Sequence, residues 1–230
     1  TMEQLVGVAR SLRLEHGFKG YIHLKTIPDA DPVILAEAGL YADRLTTNIE
    51  PPTSQALHQL APATDSATFH HAMGQLHRHI STSKEERRAA ATTSVISMPR
   101  SRSTKAAKPK AFAPGGQSTQ MIVGADAADD GDIILTSAKL YTGYGLRRVY
   151  YSAFSPIPDS SQDLPLIAPP LVREHRLYQA DWLMRFYGFE AQEIVPVGQQ
   201  GQRMLSLEHD PKLAWALAHR ERFPVNLNTA

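Results

Sequence analysis

The sequence predicts an α/β protein in which four parallel strands form part of a (β/α) barrel, with a helical extension at the C-terminal end. Two observations carry this. Helix-like and strand-like segments alternate four times in the order helix–strand, the pattern of crossovers that builds a parallel sheet. Polar side chains also recur on one parity of the strands, late in each, where a barrel places its mouth. An open doubly wound sheet is the alternative; covered on both faces, its strands would read as near-continuous apolar runs.

The first helix starts at Thr1, an N-cap with Gln4 at the capping-box position, and carries Leu5, Val8, Ala9 and Leu12 on one face. Gly17 stops it. Residues 21–27, YIHLKTI, read as the first strand. Asp31 followed by Pro32 opens a short second helix. The second strand spans 44–50, and Thr53 caps a helix running to about Leu60. Phe69, Met73, Leu76 and Ile80 mark a longer helix over roughly 66–90. Residues 97–111 read as a loop, 119–125 as the third strand, 130–142 as a helix and 148–154 as the fourth strand. The proline-rich stretch 155–172 is expected to be irregular. A helix over 173–187 ends at Gly188, and a last one starts at Asp210-Pro211. Residues 1–155 thus read as the partial barrel, with a basic helix-loop insert at about 66–112. Residues 156–230 read as a proline-rich connection followed by helices.

Parity sorts the strand residues. Ile22 and Leu24 oppose His23 and Lys25; Leu45, Thr47 and Ile49 oppose Thr46, Asn48 and Glu50. Met121, Val123 and Ala125 oppose Gln120, Ile122 and Gly124. His23, Lys25, Asn48 and Glu50 are the polar residues of greatest interest. Four strands do not close a barrel.

Composition narrows the function classes. The 230 residues carry a net charge of +1, so nothing global points to nucleic acid, and the apolar fraction of 42% is that of a globular chain. With no cysteine, the chain cannot supply a disulfide, a zinc–thiolate site or the ligands of an iron–sulfur cluster. No apolar run approaches a membrane span of about 18 residues. The first residues do not read as a signal peptide, so a cytoplasmic protein is expected.

The glycine pair Gly115-Gly116 precedes a strand, whereas a phosphate-binding turn follows one and opens a helix. A tight turn is the simpler reading. His70, His71, His77 and His79 share one helix without a carboxylate–histidine motif, and read as a solvated face. Residues 78–112 hold nine basic side chains against two acidic ones: Arg78, Lys84, Arg87, Arg88, Arg100, Arg102, Lys105, Lys108 and Lys110, with Glu85 and Glu86. Such a segment either grips nucleic-acid phosphates, through Arg100, Arg102, Lys105, Lys108 and Lys110, or is a solvated loop.

Five stretches, HGFKGYIHLKTIPDADP, ADRLTTNIE, PGGQSTQMIVGAD, LRRVYYSAFSPIP and PPLVREHRLYQADWLMRFYGF, resemble in order the branch of the radical S-adenosylmethionine family assigned to DNA modification or repair. In that branch a helix-hairpin-helix segment follows the barrel. The resemblance implies a six-stranded partial barrel whose CxxxCxxC loop binds a four-iron four-sulfur cluster, and the cluster cleaves S-adenosylmethionine to a carbon radical. It implies that the four strands here are the family's third to sixth, and that the cluster loop is absent. It assigns Asn48 and Glu50 to the cofactor's ribose and amino acid and Gln120, Ile122 and Gly124 to its adenine, with Lys25 on the same polar face. Two functions follow as expectations. One is a truncated member needing a separate chain that carries the cluster loop. The other is a non-catalytic, DNA-binding or remnant protein using the basic segment 78–112. No membrane partner is expected.

Overall fold

The computed structural model describes residues 1–62, 65–96, 110–159, 161–195 and 201–222. Its sheet is α/β as expected: four parallel strands in sequence order, β1 (His23–Lys25), β2 (Arg44–Thr46), β3 (Gln117–Val123) and β4 (Arg148–Ala153). The helices are α1 (Met2–Leu14), α2 (Pro32–Tyr41), α3 (Ser54–Leu60), α4 (Ser66–Ile96), α5 (Asp130–Tyr144), α6 (Leu171–Tyr187), the single turn α7 (Ala191–Ile194) and α8 (Pro211–Ala218). None of them is long and apolar enough to cross a membrane.

Local chemistry explains the helix starts. The Thr1 hydroxyl accepts from the Gln4 N–H while the Gln4 side chain accepts from the N-terminal amine, a closed capping box. Asp31 accepts from the Val33 N–H at 2.7 Å ahead of Pro32, and Thr53 accepts from the Ala56 N–H at 3.1 Å. Asp210 accepts from the N–H groups of Lys212 and Leu213. Each satisfies a donor that the first helical turn leaves without a partner. Gly188 closes α6 in the left-handed conformation, φ 72°.

The chain forms two compact units. The first comprises residues 1–49, the described part of 65–120, and 143–149. Its core gathers Met2, Val6 and Ala9 of α1, Leu35 and Ala38 of α2, Leu24, Leu45, and Leu76 and Ile80 of α4. This corrects half of the expected face of α1: Ala9 is buried and Leu12 packs against the core, but Val8 is 61% exposed and Leu5 is also exposed. The helix carries two apolar stripes, and the one that packs on α2 is Met2–Val6–Ala9. Arg13 continues that stripe. Its guanidinium donates to the carbonyls of Phe18, Gly20 and Tyr41 and to Asp43 at 2.6 Å, while Asp43 also accepts from the Ile22 N–H at 2.7 Å.

The helix α4 runs six residues past the expected end at 90. From Lys84 to Ala89 every residue is exposed, so no core holds this portion; helix formers such as Lys, Glu, Arg and Ala sustain it. The four histidines are not a uniformly solvated face: His70 stacks on Tyr144 at 5.5 Å and His79 on Phe112 at 5.2 Å. Of the expected loop, residues 97–109 lie outside the described residues, and with them Arg100, Arg102, Lys105 and Lys108.

The second unit comprises the described residues of 50–64, 121–142 and 150–230. Met121, Val123, Ile133, Ile134, Tyr151, Leu177, Ala180 and Leu183 are buried in it. An ion pair and a hydrogen bond tie α5 to α6 there. Asp130, fully buried, accepts from Arg173 at 2.7 Å and from the Leu205 N–H at 2.9 Å. Asp181, also fully buried, accepts from Tyr141 and, at 2.8 Å, from Arg185. The outer edge of β4 is closed by α6: Tyr178 accepts from the Tyr151 N–H at 3.0 Å and donates to the Tyr151 carbonyl at 2.9 Å, and Glu174 accepts from the Ala153 N–H at 2.7 Å.

Candidate functional site: the polar ends of the strands

Register places the sequence-derived polar residues. His23 pairs with Arg44 and Lys25 with Thr46, and Thr46 with Ser118, while Leu24 pairs with Leu45 and Leu45 with Gln117. Residues paired across a parallel ladder share a face. His23, Lys25, Thr46 and Ser118 therefore lie on one side of the sheet and Leu24, Leu45 and Gln117 on the other. The burial of Leu24 between exposed His23 and Lys25 agrees with the expected parity. Gln117 is polar yet buried on the helix side, because its amide donates to the carbonyls of Met73 and Tyr144.

On the polar side of the first unit a hydroxyl chain ends at a histidine. Ser118 Oγ lies 2.5 Å from Thr46 Oγ1, and Thr46 Oγ1 meets His23 Nε2. Although His23 is exposed as a residue, partial desolvation of its ring, followed by the charge of Arg44, lowers its pKa from the usual value, so the ring is neutral at pH 7 and can accept from the hydroxyl chain. Protonating it removes that acceptor. Because the folded-state pKa is depressed, the stability contribution is present above about pH 6.5 and is lost as the pH falls below it. The melting temperature should fall as the pH drops below about 6.5, and His23→Gln should flatten that part of the profile; an equal slope in the variant would show that other groups set it. Asn48 is buried beyond the end of β2, and Gln120 is half-buried in β3.

Past Thr46 and Ser118 the pairing of the two chain segments slips. Thr46 pairs with Ser118, but Glu50 bridges Met121, so four steps along one strand match three along the other. The Ile122 N–H donates to the Glu50 carbonyl at 2.8 Å. Strict alternation thus stops before Glu50, which takes a left-handed backbone, φ 56°. For a residue with a Cβ that conformation costs about 1 kcal/mol. Glu50→Gly should therefore raise the melting temperature slightly, by about 2 °C. A lower melting temperature would show that the carboxylate holds the fold.

Ile122 is half-buried in β3. Gly124 follows with φ 80°, and a Cβ there would lie 2.8 Å from Pro169 Cγ. The room left by the missing side chain is thus filled by the proline ring. Gly116 behaves likewise: with φ 77°, its Cβ position lies 2.5 Å from Arg147 Cγ, so the glycine pair serves close packing.

Sequence reasoning passed over Asp126, just beyond β3. Its Oδ1 accepts from the Ala128 N–H at 2.8 Å, and its Oδ2 is buried without a hydrogen-bond partner. Burial, with Asp132 nearby, raises its pKa against the pull of Arg173. It lines a cavity of about 370 Å³ together with Gln59, Gln162 and Asp163. The signal available beforehand was a carboxylate two residues past a strand end. Among the described residues no cluster of histidine and carboxylate groups is arranged for a metal. The chain's donor set, without cysteine, does not fit an iron–sulfur cluster. No family description, curated protein or solved structure matches the chain.

Proposed function

We propose that the chain is the S-adenosylmethionine-binding portion of a radical S-adenosylmethionine protein acting in DNA modification or repair, with the cluster ligands outside these 230 residues. The observation that carries the reading is Glu50: a charged residue held in a left-handed backbone four residues past the carboxyl end of β2, where it bridges Met121 in parallel, the position that the resemblance gives to a cofactor contact. Such local strain collects at functional sites, and the carboxyl ends of parallel strands are where α/β sheets bind ligands. The parallel order of the strands is compatible with the last four of a six-stranded partial barrel, and α6 closes the edge of β4, as suits a terminal strand. In this reading Glu50 accepts hydrogen bonds from ribose hydroxyls or the cofactor's ammonium group. Asn48, Gln120, Lys25 and Ile122 keep the assignments the resemblance gives them. Gly124 packs against Pro169 and leaves no room for a ligand at its α-carbon.

Anaerobic incubation of the chain with iron and sulfide tests the division of labour. The expected result is no stoichiometric cluster absorbance and no cleavage of S-adenosylmethionine to methionine. A stable cluster on the isolated chain would overturn the proposal.

A further inference from the structure

The cavity beyond β3 is lined by a carboxyl group with an unanswered oxygen. Asp126, three residues past the end of β3, lines it together with Gln59 of α3 and with Gln162 and Asp163 of the proline-rich connection, all within the second unit. An Asx turn fixes the carboxyl group: Oδ1 accepts from the Ala128 N–H at 2.8 Å. Oδ2 is buried and accepts nothing. Arg173, whose charge reaches Asp126, donates instead to Asp130 at 2.7 Å and to the Ala128 carbonyl at 3.0 Å. Buried polar atoms of folded chains are nearly always paired, so an orphaned one points to a partner that the chain does not supply.

The other walls of the cavity define that partner. Among the described residues no cationic side chain lines it; its charged groups are the carboxyls of Asp126 and Asp163. Gln59 and Gln162 add amide carbonyls as acceptors at the exposed rim. Leu60, Leu164 and Pro165 supply apolar surface. The rim is held in shape: the Leu164 N–H donates to the Ser161 carbonyl at 3.1 Å, and the Ser161 hydroxyl to Asp163 at 3.1 Å. The volume of about 370 Å³ is that of a small-molecule pocket, about 300–1,000 Å³, and exceeds the needs of a bare ion.

We propose that this cavity binds a small organic cation, whose ammonium or amidinium group donates to the Asp126 carboxylate and whose apolar body lies against Leu60, Leu164 and Pro165. A charge-assisted hydrogen bond is stronger than a neutral one, and a desolvated site screens it less than open water does. Burial raises the Asp126 pKa; a bound cation reverses that by favouring the ionised form. A metal ion fits less well, since among the described residues no three histidine or carboxylate groups are arranged to hold one. The inference goes beyond the cofactor reading at Glu50 and does not rest on it.

The test is calorimetric titration of benzamidine, an amidinium on an apolar ring, into the full chain and into Asp126→Asn. The variant keeps an oxygen to accept from the Ala128 N–H, so it should fold. Saturable binding at one site per chain is expected, weakened about tenfold or more in the variant. Benzamide, the neutral counterpart, should not saturate. Absence of saturable benzamidine binding, equal binding of benzamide, or unchanged affinity in the variant overturns the proposal. Should the variant fail to fold, carboxyl-carbon NMR of the unmodified chain decides: benzamidine should move the Asp126 signal, and no movement overturns the site. Calcium chloride is the second arm; if it moves Asp126 while benzamidine does not, the site takes a metal ion and the proposal is wrong. Glu50→Gly should leave the benzamidine affinity as it is, so failure of this site and failure of the cofactor reading are told apart.

Discussion

Replacing Arg173 with methionine should cost about 3–5 kcal/mol of stability, the largest effect of any single change considered. Asp130 has no exposed surface, and its carboxylate is held by Arg173 Nε on one oxygen and the Leu205 N–H on the other. The Arg173 guanidinium also donates to the Ala128 carbonyl at 3.0 Å. Methionine keeps most of the stem's packing but strands a buried negative charge. The penalty therefore lies chiefly in the charge left behind. It follows that Asp130→Asn, added to Arg173→Met, should recover much of the loss, since an amide oxygen still accepts from Leu205 and no charge remains. Urea denaturation of the three proteins measures this. A loss below about 1 kcal/mol in the single variant would mean that water reaches Asp130.

Opening the edge of β4 should have the second-largest effect. Tyr178 and Glu174 together satisfy three backbone groups of Tyr151 and Ala153. Tyr178→Phe combined with Glu174→Leu leaves them without those partners, at about 1–3 kcal/mol for each that stays dry. Water that reaches them lowers the penalty but exposes a strand edge able to pair with another chain. The double variant is thus expected to lose about 2–4 kcal/mol and to self-associate as concentration rises. Sedimentation at a series of concentrations alongside a melting curve tests both parts. A stable variant whose mass does not change would show that α6 protects nothing at that edge.

The sequence carried the features whose cause is local. Thr1, Asp31, Thr53 and Asp210 mark their helix starts because a capping side chain and its N–H partners lie within three residues. Alternation on β1 is legible for the same reason: His23, Leu24 and Lys25 differ sharply in polarity, and their exposure alternates with period two. What was not legible depends on residues far along the chain. The buried stripe of α1 is only half legible because Leu5 and Val8 are as apolar as Met2 and Val6; only α2 decides between them. β3 starts two residues earlier than polarity suggests, since the Gln117 amide finds the carbonyls of Met73 and Tyr144. The slip at Glu50 arises from the pairing of two strands some seventy residues apart and leaves no mark on either. Arg173 and Asp130 are likewise 43 residues apart.

Calorimetric titration of S-adenosylmethionine into the iron-free chain, with Glu50→Gly and Glu50→Gln alongside, tests the central claim most directly. The expected result is saturable binding at one site per chain, weakened about tenfold or more in both variants, as befits loss of a charged hydrogen bond. Glu50→Gly should melt no lower than the unmodified chain, so the weakening cannot come from unfolding. Absence of saturable binding, or binding equally tight in all three proteins, would contradict the assignment of this strand end to the cofactor.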